Sequence, residues 1–334
     1  MRTLTSLLLA ALGGPLAAHA QSFEGKDWQV VCDNTRSCRA AGYSVEGSDM
    51  PVSVLFSRAA GARMPVGVEL QLGSLDARSA HPASVVMTVA GKPAGTIRID
   101  KNNHADLTAP VATALLNALV GGNGATFTSG RSTWRLSGDG AAEMLGRIDE
   151  AQGRLGRPSA LVRKGTLSDA DATYAMAIPR FEATRVAAAA LPGDDALAVR
   201  VLAAVRSTPD CPLLDDGASQ AKARLWHVDA NRMLVTQPCL ATANGTVSGY
   251  WTANQRPPYD ARPLTTSATD FDGSTITARA TATPAGDCGS VQAWTWNGFR
   301  FEQTYAATGG LCRGVKAGGA WELPSLVSDV ISSR

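Results

Sequence analysis

Six cysteines are the residues of this sequence whose chemistry is easiest to predict. They form three pairs that are close along the chain: Cys32 with Cys38, Cys211 with Cys239, and Cys288 with Cys312. Thiolate metal sites usually show C-x2-4-C spacing with further Cys or His nearby, and no such pattern is present. The even number therefore predicts three disulfides and an oxidising compartment, with the pairing argued from proximity along the chain.

A second group of candidates consists of side chains that could act as nucleophiles. Ser219 and Lys222 match S-x-x-K, the nucleophile motif of penicillin-binding enzymes. The S-D-N and K-T-G elements that accompany that motif are missing. We interpret the match as a solvated turn.

Carboxylates offer a possible metal site. Asp270 and Asp272 faintly resemble a calcium loop, but no distal Glu stands at the EF-hand spacing. A turn with Asx hydrogen bonds is the favoured interpretation, and weak calcium binding near 270–272 stays open. Asp194-Asp195 and Asp215-Asp216 are adjacent carboxylates that face apart, and we expect the first pair to cap the following helix. No metal ligand is assigned.

Histidines are scarce, which limits general-base chemistry. His81, His104 and His227 remain once an N-terminal segment is removed, and none lies close to a cysteine pair in the sequence. No G-x-S-x-G, H-E-x-x-H, Walker or dinucleotide motif is present. The sequence therefore predicts no catalytic residue and no cofactor.

The segment with most aromatic residues spans 290–305. Asn297-Gly298 is a strong signal for a two-residue hairpin turn, because both residues tolerate positive φ. That turn would pair Trp296 with Phe299 and place four aromatic side chains on one face. They are Trp294, Trp296, Phe299 and Phe301. This face is either hydrophobic core or a partner-binding surface.

The N-terminus has the pattern of a secretory signal peptide over residues 1–20. Arg2 precedes an apolar stretch, and Ala18-His19-Ala20 is an A-x-A cleavage site before Gln21. Later segments are too short or too polar to span a bilayer. We expect cleavage at Ala20-Gln21, a periplasmic or secreted protein, and no stable membrane insertion.

Composition and net charge limit which fold classes and which partners are expected. The net charge is +2 and no Lys/Arg run reaches five residues, so no nucleic-acid surface is predicted. With 33 Gly and 17 Pro, turns are frequent, which suits many short strands. The predicted class is α+β and predominantly β, with two β-rich domains of sandwich or barrel-like antiparallel sheets and a few short helices.

The predicted domains cover residues 21–165 and 194–334, with a surface connector over 166–193. Helices are predicted over 108–120, 141–152 and 194–206, from capping residues and apolar spacing. Residues 159–163 are expected to close the first domain as a strand. The first cysteine pair should join strands 28–32 and 38–42, which places Trp28 opposite Gly42.

Three blocks carry a resemblance to a known family. They contain Lys26-Asp27-Trp28 before the first cysteine pair, Asp149-Glu150-Ala151-Gln152-Gly153-Arg154, and Gly286-Asp287-Cys288-Gly289 with the aromatic hairpin after it. In these blocks the chain resembles exported bacterial proteins of domain-of-unknown-function family 1176. Its N-terminal half is similar to the invasion-associated locus B proteins, a secreted β-rich domain. The resemblance implies location, architecture and disulfides, and no catalytic residues.

The resulting hypothesis is a non-enzymatic periplasmic protein that binds another protein through a disulfide-braced surface. One form is an immunity or inhibitor protein that neutralises an envelope-targeting toxin or hydrolase. The alternatives are an enzyme acting on the cell wall or a glycan, and a structural or invasion-type envelope factor. Fold resemblance alone does not decide among them.

Overall fold

The computed structural model describes residues 21–73, 81–186, 191, 193–205, 208–242 and 245–332. The predicted signal peptide, residues 1–20, lies outside the described residues. The protein is predominantly β with several antiparallel sheets and short helices, as the sequence predicts. None of the helices in the described part of the chain is long and apolar enough to cross a membrane.

Two antiparallel sheets and two helices form the N-terminal half. The strands in chain order are β1 (Gln21–Gly25), β2 (Trp28–Cys32), β3 (Cys38–Tyr43), β4 (Val52–Arg58), β5 (Gly67–Leu72), β6 (Ser84–Val89), β7 (Lys92–Arg98), β8 (His104–Asp106), β9 (Ala125–Ser129) and β10 (Ser132–Leu136). The helices are α1 (Ala109–Val120) and α2 (Ala141–Ala151). The first sheet has the order β1-β2-β3-β4-β5-β8, and the second has the order β10-β9-β6-β7.

The inner face of the first sheet packs on the second sheet and both helices. The central side chains of this core are fully buried: Trp28, Phe56, Leu70, Met87, Leu115, Phe127 and Leu145. Met144, Leu145 and Ile148 share the buried face of α2, as their spacing predicts. A sandwich of this kind removes the apolar face of each element from water.

Trp28 lies against a position where no side chain is present. It pairs with Gly42 across β2 and β3, and a Cβ added to Gly42 would lie 2.2 Å from Cζ2 of the indole. The indole Nε1 donates a hydrogen bond to the carbonyl of Ser137, 3.0 Å away. The predicted register of the first hairpin is therefore confirmed.

The C-terminal half is built on one sheet of eight consecutive antiparallel strands. They are β12 (Arg224–His227), β13 (Arg232–Thr242), β14 (Gly245–Asn254), β15 (Arg262–Phe271), β16 (Thr275–Thr281), β17 (Gly289–Trp296), β18 (Phe301–Thr308) and β19 (Leu323–Leu326). Helices α3 (Asp194–Leu202) and α4 (Gly217–Gln220) precede them. One hydrophobic cluster packs α3 against Met233 and Trp251, and another contains Ile276 and Trp296.

The outer face of the first sheet is also buried, by a segment of the C-terminal half. Val31, Ala41, Tyr43 and Leu55 form one cluster with Val315, Trp321 and Leu323, and we call this contact the seam. This explains why β2 is buried at all five positions instead of alternating. The seam joins residues of the predicted first domain, which ends at 165, to residues of the predicted second domain, which begins at 194. The division into these two domains stays a prediction.

Polar contacts border the seam. The indole Nε1 of Trp321 donates to Oγ of Ser53, 2.6 Å away, on the covered face. Arg313 lies 3.1 Å from a carboxylate oxygen of Asp27 and 3.1 Å from one of Glu46, so one guanidinium joins both halves. The side chains of Arg313 and Asp27 are both largely buried, whereas that of Glu46 is exposed, so the pair with Asp27 is the less screened of the two.

One predicted strand is wrong. Residues 159–163 form turns instead, because the buried carboxylate of Asp149 accepts hydrogen bonds from the amides of Leu161 and Val162, each 2.9 Å long. Those amides are therefore not available to a neighbouring strand.

Gly42→Ala should destabilise the fold. The added methyl group overlaps the indole of Trp28, and overpacking of this kind costs about 1–3 kcal/mol of unfolding free energy. Urea unfolding followed by circular dichroism measures the change. Gly146→Ala is the control, since no atom lies within 4 Å of its added Cβ within α2, and it should stabilise by roughly 0.5–1 kcal/mol. Equal stability of wild type and Gly42→Ala would contradict the packing described.

Candidate partner-binding surface

All three predicted disulfides are present. Cys32–Cys38, Cys211–Cys239 and Cys288–Cys312 are bonded, and the first two of these six residues are direct partners across β2 and β3. The second disulfide lies in the cluster under α3, and the third joins the start of β17 to the segment that forms the seam.

The aromatic hairpin exists, but its predicted turn is wrong. Trp296 pairs with Phe301, so the loop has four residues, 297–300, and not two. The side-chain oxygen of Asn297 accepts hydrogen bonds from the amides of Phe299 and Arg300, at 2.9 and 2.8 Å. These hydrogen bonds satisfy two backbone amides of the wider loop, so the chain can reverse direction without a type I′ turn.

The register decides what the four aromatic residues can contact. Trp296 and Phe301 are buried core residues, and Trp294 packs half-buried against them. Phe299 is 67% exposed at the loop tip, with the Arg232 guanidinium 5.0 Å from its ring centroid. Of the two alternatives, hydrophobic core holds for Trp296 and Phe301, whose side chains are buried, and the partner-binding role of the set stays a prediction. Phe299 is the most exposed member of the set.

A different apolar surface is exposed in the connector. Residues 174–179, Tyr-Ala-Met-Ala-Ile-Pro, are all exposed and form no helix or strand. Tyr174 is 72% exposed, Met176 40% and Ile178 54%. Isolated exposed apolar residues are ordinary, whereas several exposed close together make this segment a candidate for an interaction site.

The C-terminal strand lies next to the end of this run, where the amide of Asp329 donates to the carbonyl of Pro179, 2.8 Å away. After Pro179 the chain forms β11 (Arg180–Ala183), which pairs in parallel with β20 (Asp329–Ser332). Val330 and Ile331 of β20 are 41% and 40% exposed. Because Val330 and Ile331 are consecutive in a strand, their side chains point to opposite faces of this small sheet. We call Tyr174, Met176 and Ile178 the connector surface.

The loop of the first disulfide holds the connector surface in place. The amide of Met176 donates to the carbonyl of Thr35 (3.1 Å), and Arg36 donates to the carbonyl of Tyr174 (3.3 Å). Asn34 forms two hydrogen bonds with the backbone of Val327, at 3.0 and 2.8 Å. The loop therefore uses the polar backbone of both segments, and their apolar side chains remain in solvent.

A buried arginine network fixes the chain that leads into the connector. Arg154 is fully buried and donates to Gln152 (3.1 Å) and to the hydroxyl of Ser159 (2.9 Å). Arg58 donates to the carbonyl of Ser159, 2.6 Å away. Burial, followed by repulsion from Arg154, lowers the pKa of Arg58 to about 10. Burial likewise raises the pKa of Asp149 above its usual range. A buried network whose polar groups have hydrogen-bond partners is rigid, so it supports the chain at the start of the connector.

The other candidate residues have structural partners. Ser219 is buried in α4, and its hydroxyl and amide lower the pKa of Asp216, which caps that helix. The predicted solvated turn is therefore wrong for Ser219. The carboxylate of Asp272 accepts hydrogen bonds from the amides of Ser274 and Thr275, which confirms the Asx turn, while Asp270 lies in β15.

The histidine and the carboxylate near α3 form a pair. Nε2 of His227 lies 3.2 Å from Oδ1 of Asp194. The predicted cap by Asp194 is wrong, because Gly193 occupies the N-cap position and Asp194 accepts a hydrogen bond from the amide of Leu191, 2.6 Å away.

A cleft of about 430 Å³ opens beside the third disulfide. Its wall includes Trp321 of the seam, the positively charged Arg279 and the negatively charged Glu322. Tyr305 donates a hydrogen bond to Glu322. Burial, and then Glu322, raise the pKa of Tyr305, with Arg39 and Arg279 acting in the opposite direction. The cleft has the size of a small-molecule pocket or of a pocket for a partner's side chain.

Taken together, the sheets, the seam and the three disulfides define a predominantly β, disulfide-braced protein of two joined halves. The model of the family described as "protein of unknown function (DUF1176)" matches residues 22–328, so the chain belongs to that family. The predicted membership is confirmed, and the similarity of the N-terminal half to invasion-associated locus B proteins stays a prediction. No curated protein and no solved structure matches the chain.

Asn34→Leu should release the C-terminal strand. It removes both hydrogen bonds to Val327, each worth about 1 kcal/mol, so amide exchange in residues 327–332 should accelerate roughly tenfold or more. Hydrogen exchange followed by mass spectrometry measures this. Asn34→Asp keeps the acceptor for the Val327 amide and should show a smaller effect. If both variants exchange like the wild type, Asn34 does not hold this strand.

Proposed function

We propose that this chain is a non-enzymatic protein of the bacterial envelope that binds another protein through the connector surface. The observation that carries the proposal is the exposed apolar run 174–179, whose last residue, Pro179, accepts a hydrogen bond from the amide of Asp329 at the start of β20. Covering these side chains with a partner removes apolar area from water, which is the main favourable term in association. Their backbone is already held in place, so little ordering entropy is lost on binding.

The location supports a periplasmic or secreted site of action. Three disulfides persist in oxidising compartments, and the pattern of residues 1–20 is that of an export signal. In that compartment the partner we favour is a toxin or hydrolase that attacks the envelope, with this chain as its inhibitor or immunity protein. A braced, preformed surface suits such tight one-to-one recognition.

The connector surface also has the geometry of a protein contact. Tyr174 presents an aromatic ring against the Arg36 guanidinium, 5.5 Å away, and aromatic and arginine side chains are enriched where binding energy concentrates. The exposed ring of Phe299 and the partly buried Arg232 guanidinium form a second pair of this kind. The two pairs lie on segments connected by β11, since the amide of Thr184 donates to the carbonyl of Trp296.

A photo-crosslinking residue at position 178, in the full chain expressed in its own envelope, should form a covalent adduct with one protein. The same residue at position 45 is the control, because Val45 is a 60% exposed apolar residue outside the connector surface. The double variant Met176→Asp, Ile178→Asp should bind the purified partner at least tenfold more weakly. Its melting temperature should stay near that of the wild type, because both side chains are solvent-exposed.

Two results would overturn the proposal. One is equal crosslinking at positions 45 and 178, which indicates random collision. The other is a purified one-to-one complex whose affinity is unchanged by the two aspartates, which places the contact elsewhere.

A further inference from the structure

Three metal-ligating side chains meet at the edge of the first sheet. Glu69 of β5 is the direct partner of Asp106 on β8, and His104 stands two residues before Asp106. Nε2 of His104 lies 3.0 Å from Oε2 of Glu69, and one ligand atom from each of the three residues lies within 4.8 Å of the others. This is the one such group that the described residues contain.

The charges at this edge are unbalanced. Like charges directly opposite each other on neighbouring strands destabilise a sheet, and Glu69 and Asp106 are placed in that way. Within the described ranges, neither Glu69 nor Asp106 pairs with a Lys or Arg side chain, and Glu69 contacts the His104 imidazole, which carries a charge only when protonated. A bound cation between the two carboxylates would remove this repulsion.

The backbone of His104 and its imidazole ring each contact groups outside the cluster. The amide of His104 donates to Oδ1 of Asp100 (2.8 Å), and the Asp100 amide donates back to the His104 carbonyl (2.9 Å). The Trp321 ring of the seam packs edge-on against the imidazole, with 6.0 Å between centroids. Ligands on paired strands, with a ring packed in place, are better preorganised than ligands on a free loop.

We propose that Glu69, His104 and Asp106 bind one transition-metal dication of the zinc class. An imidazole nitrogen with two carboxylate oxygens suits zinc, whereas calcium requires six to eight oxygens and magnesium prefers oxygen and water. Bonds of about 2.1 Å place the ligands of a tetrahedral ion about 3.4 Å apart, so the observed spacing requires only side-chain rotation. Three protein ligands leave one position for water or a partner's group.

Zinc titration of the untagged chain 21–334 with its disulfides formed tests the site by calorimetry. The wild type should bind one ion. Glu69→Gln, His104→Ala and Asp106→Asn should each weaken binding at least tenfold. The matched control is His227→Ala. The His227 imidazole lies 3.2 Å from a carboxylate oxygen of Asp194, but among the described residues no third metal-ligating group is close to this pair. The affinity of His227→Ala for zinc should equal that of the wild type.

Asp106 is exposed, so Asp106→Asn keeps the fold and makes the test decisive. Zinc should raise the melting temperature of the wild type and of His227→Ala, because it binds the folded state, and raise that of Asp106→Asn less at the same zinc concentration. Cobalt in place of zinc should give visible absorption bands in the wild type that Asp106→Asn alters. The proposal is overturned if the wild type binds no zinc, or if Asp106→Asn and Glu69→Gln bind it as tightly as the wild type.

Discussion

The burial of both faces of the first sheet is the constraint on which the rest of the structure depends. Its inner face packs on the second sheet and two helices, while its outer face needs the segment that carries Val315, Trp321 and Leu323. The Cys288–Cys312 disulfide ties that segment to the C-terminal sheet. Neither half therefore buries all of its apolar surface alone, and the seam fixes how the halves face each other.

The connector surface follows from this arrangement. Once the halves are joined, the chain between them must cross the junction, and its backbone amides and carbonyls must be satisfied. The loop between Cys32 and Cys38 satisfies them through Thr35 and Arg36, and Asn34 binds the C-terminal strand in the same way. The short disulfide loop thus organises the junction, although it closes a hairpin of the N-terminal half only.

The seam also places Trp321 against His104, at the edge where Glu69 and Asp106 oppose each other. A metal ion at this edge would act next to the contact between the halves, whereas the connector surface depends on the first disulfide loop. The two proposals thus use separate residues and separate chemistry, although both depend on how the second half covers the first.

The sequence by itself determined the elements and contacts that depend on neighbouring residues. The three disulfides, the Trp28–Gly42 pair and helices α1 and α2 follow from local pairing, capping and apolar spacing. Two predictions failed because of side-chain hydrogen bonds: the Asn297 oxygen bonds the amides of its own loop, and the Asp149 carboxylate takes amides of a predicted strand. The tertiary structure alone decided which apolar residues are covered. The seam buried a second sheet face, while residues 174–179 stayed exposed. The physical reason is that hydrophobic burial is non-directional and depends on what packs from a distance, which no local pattern encodes.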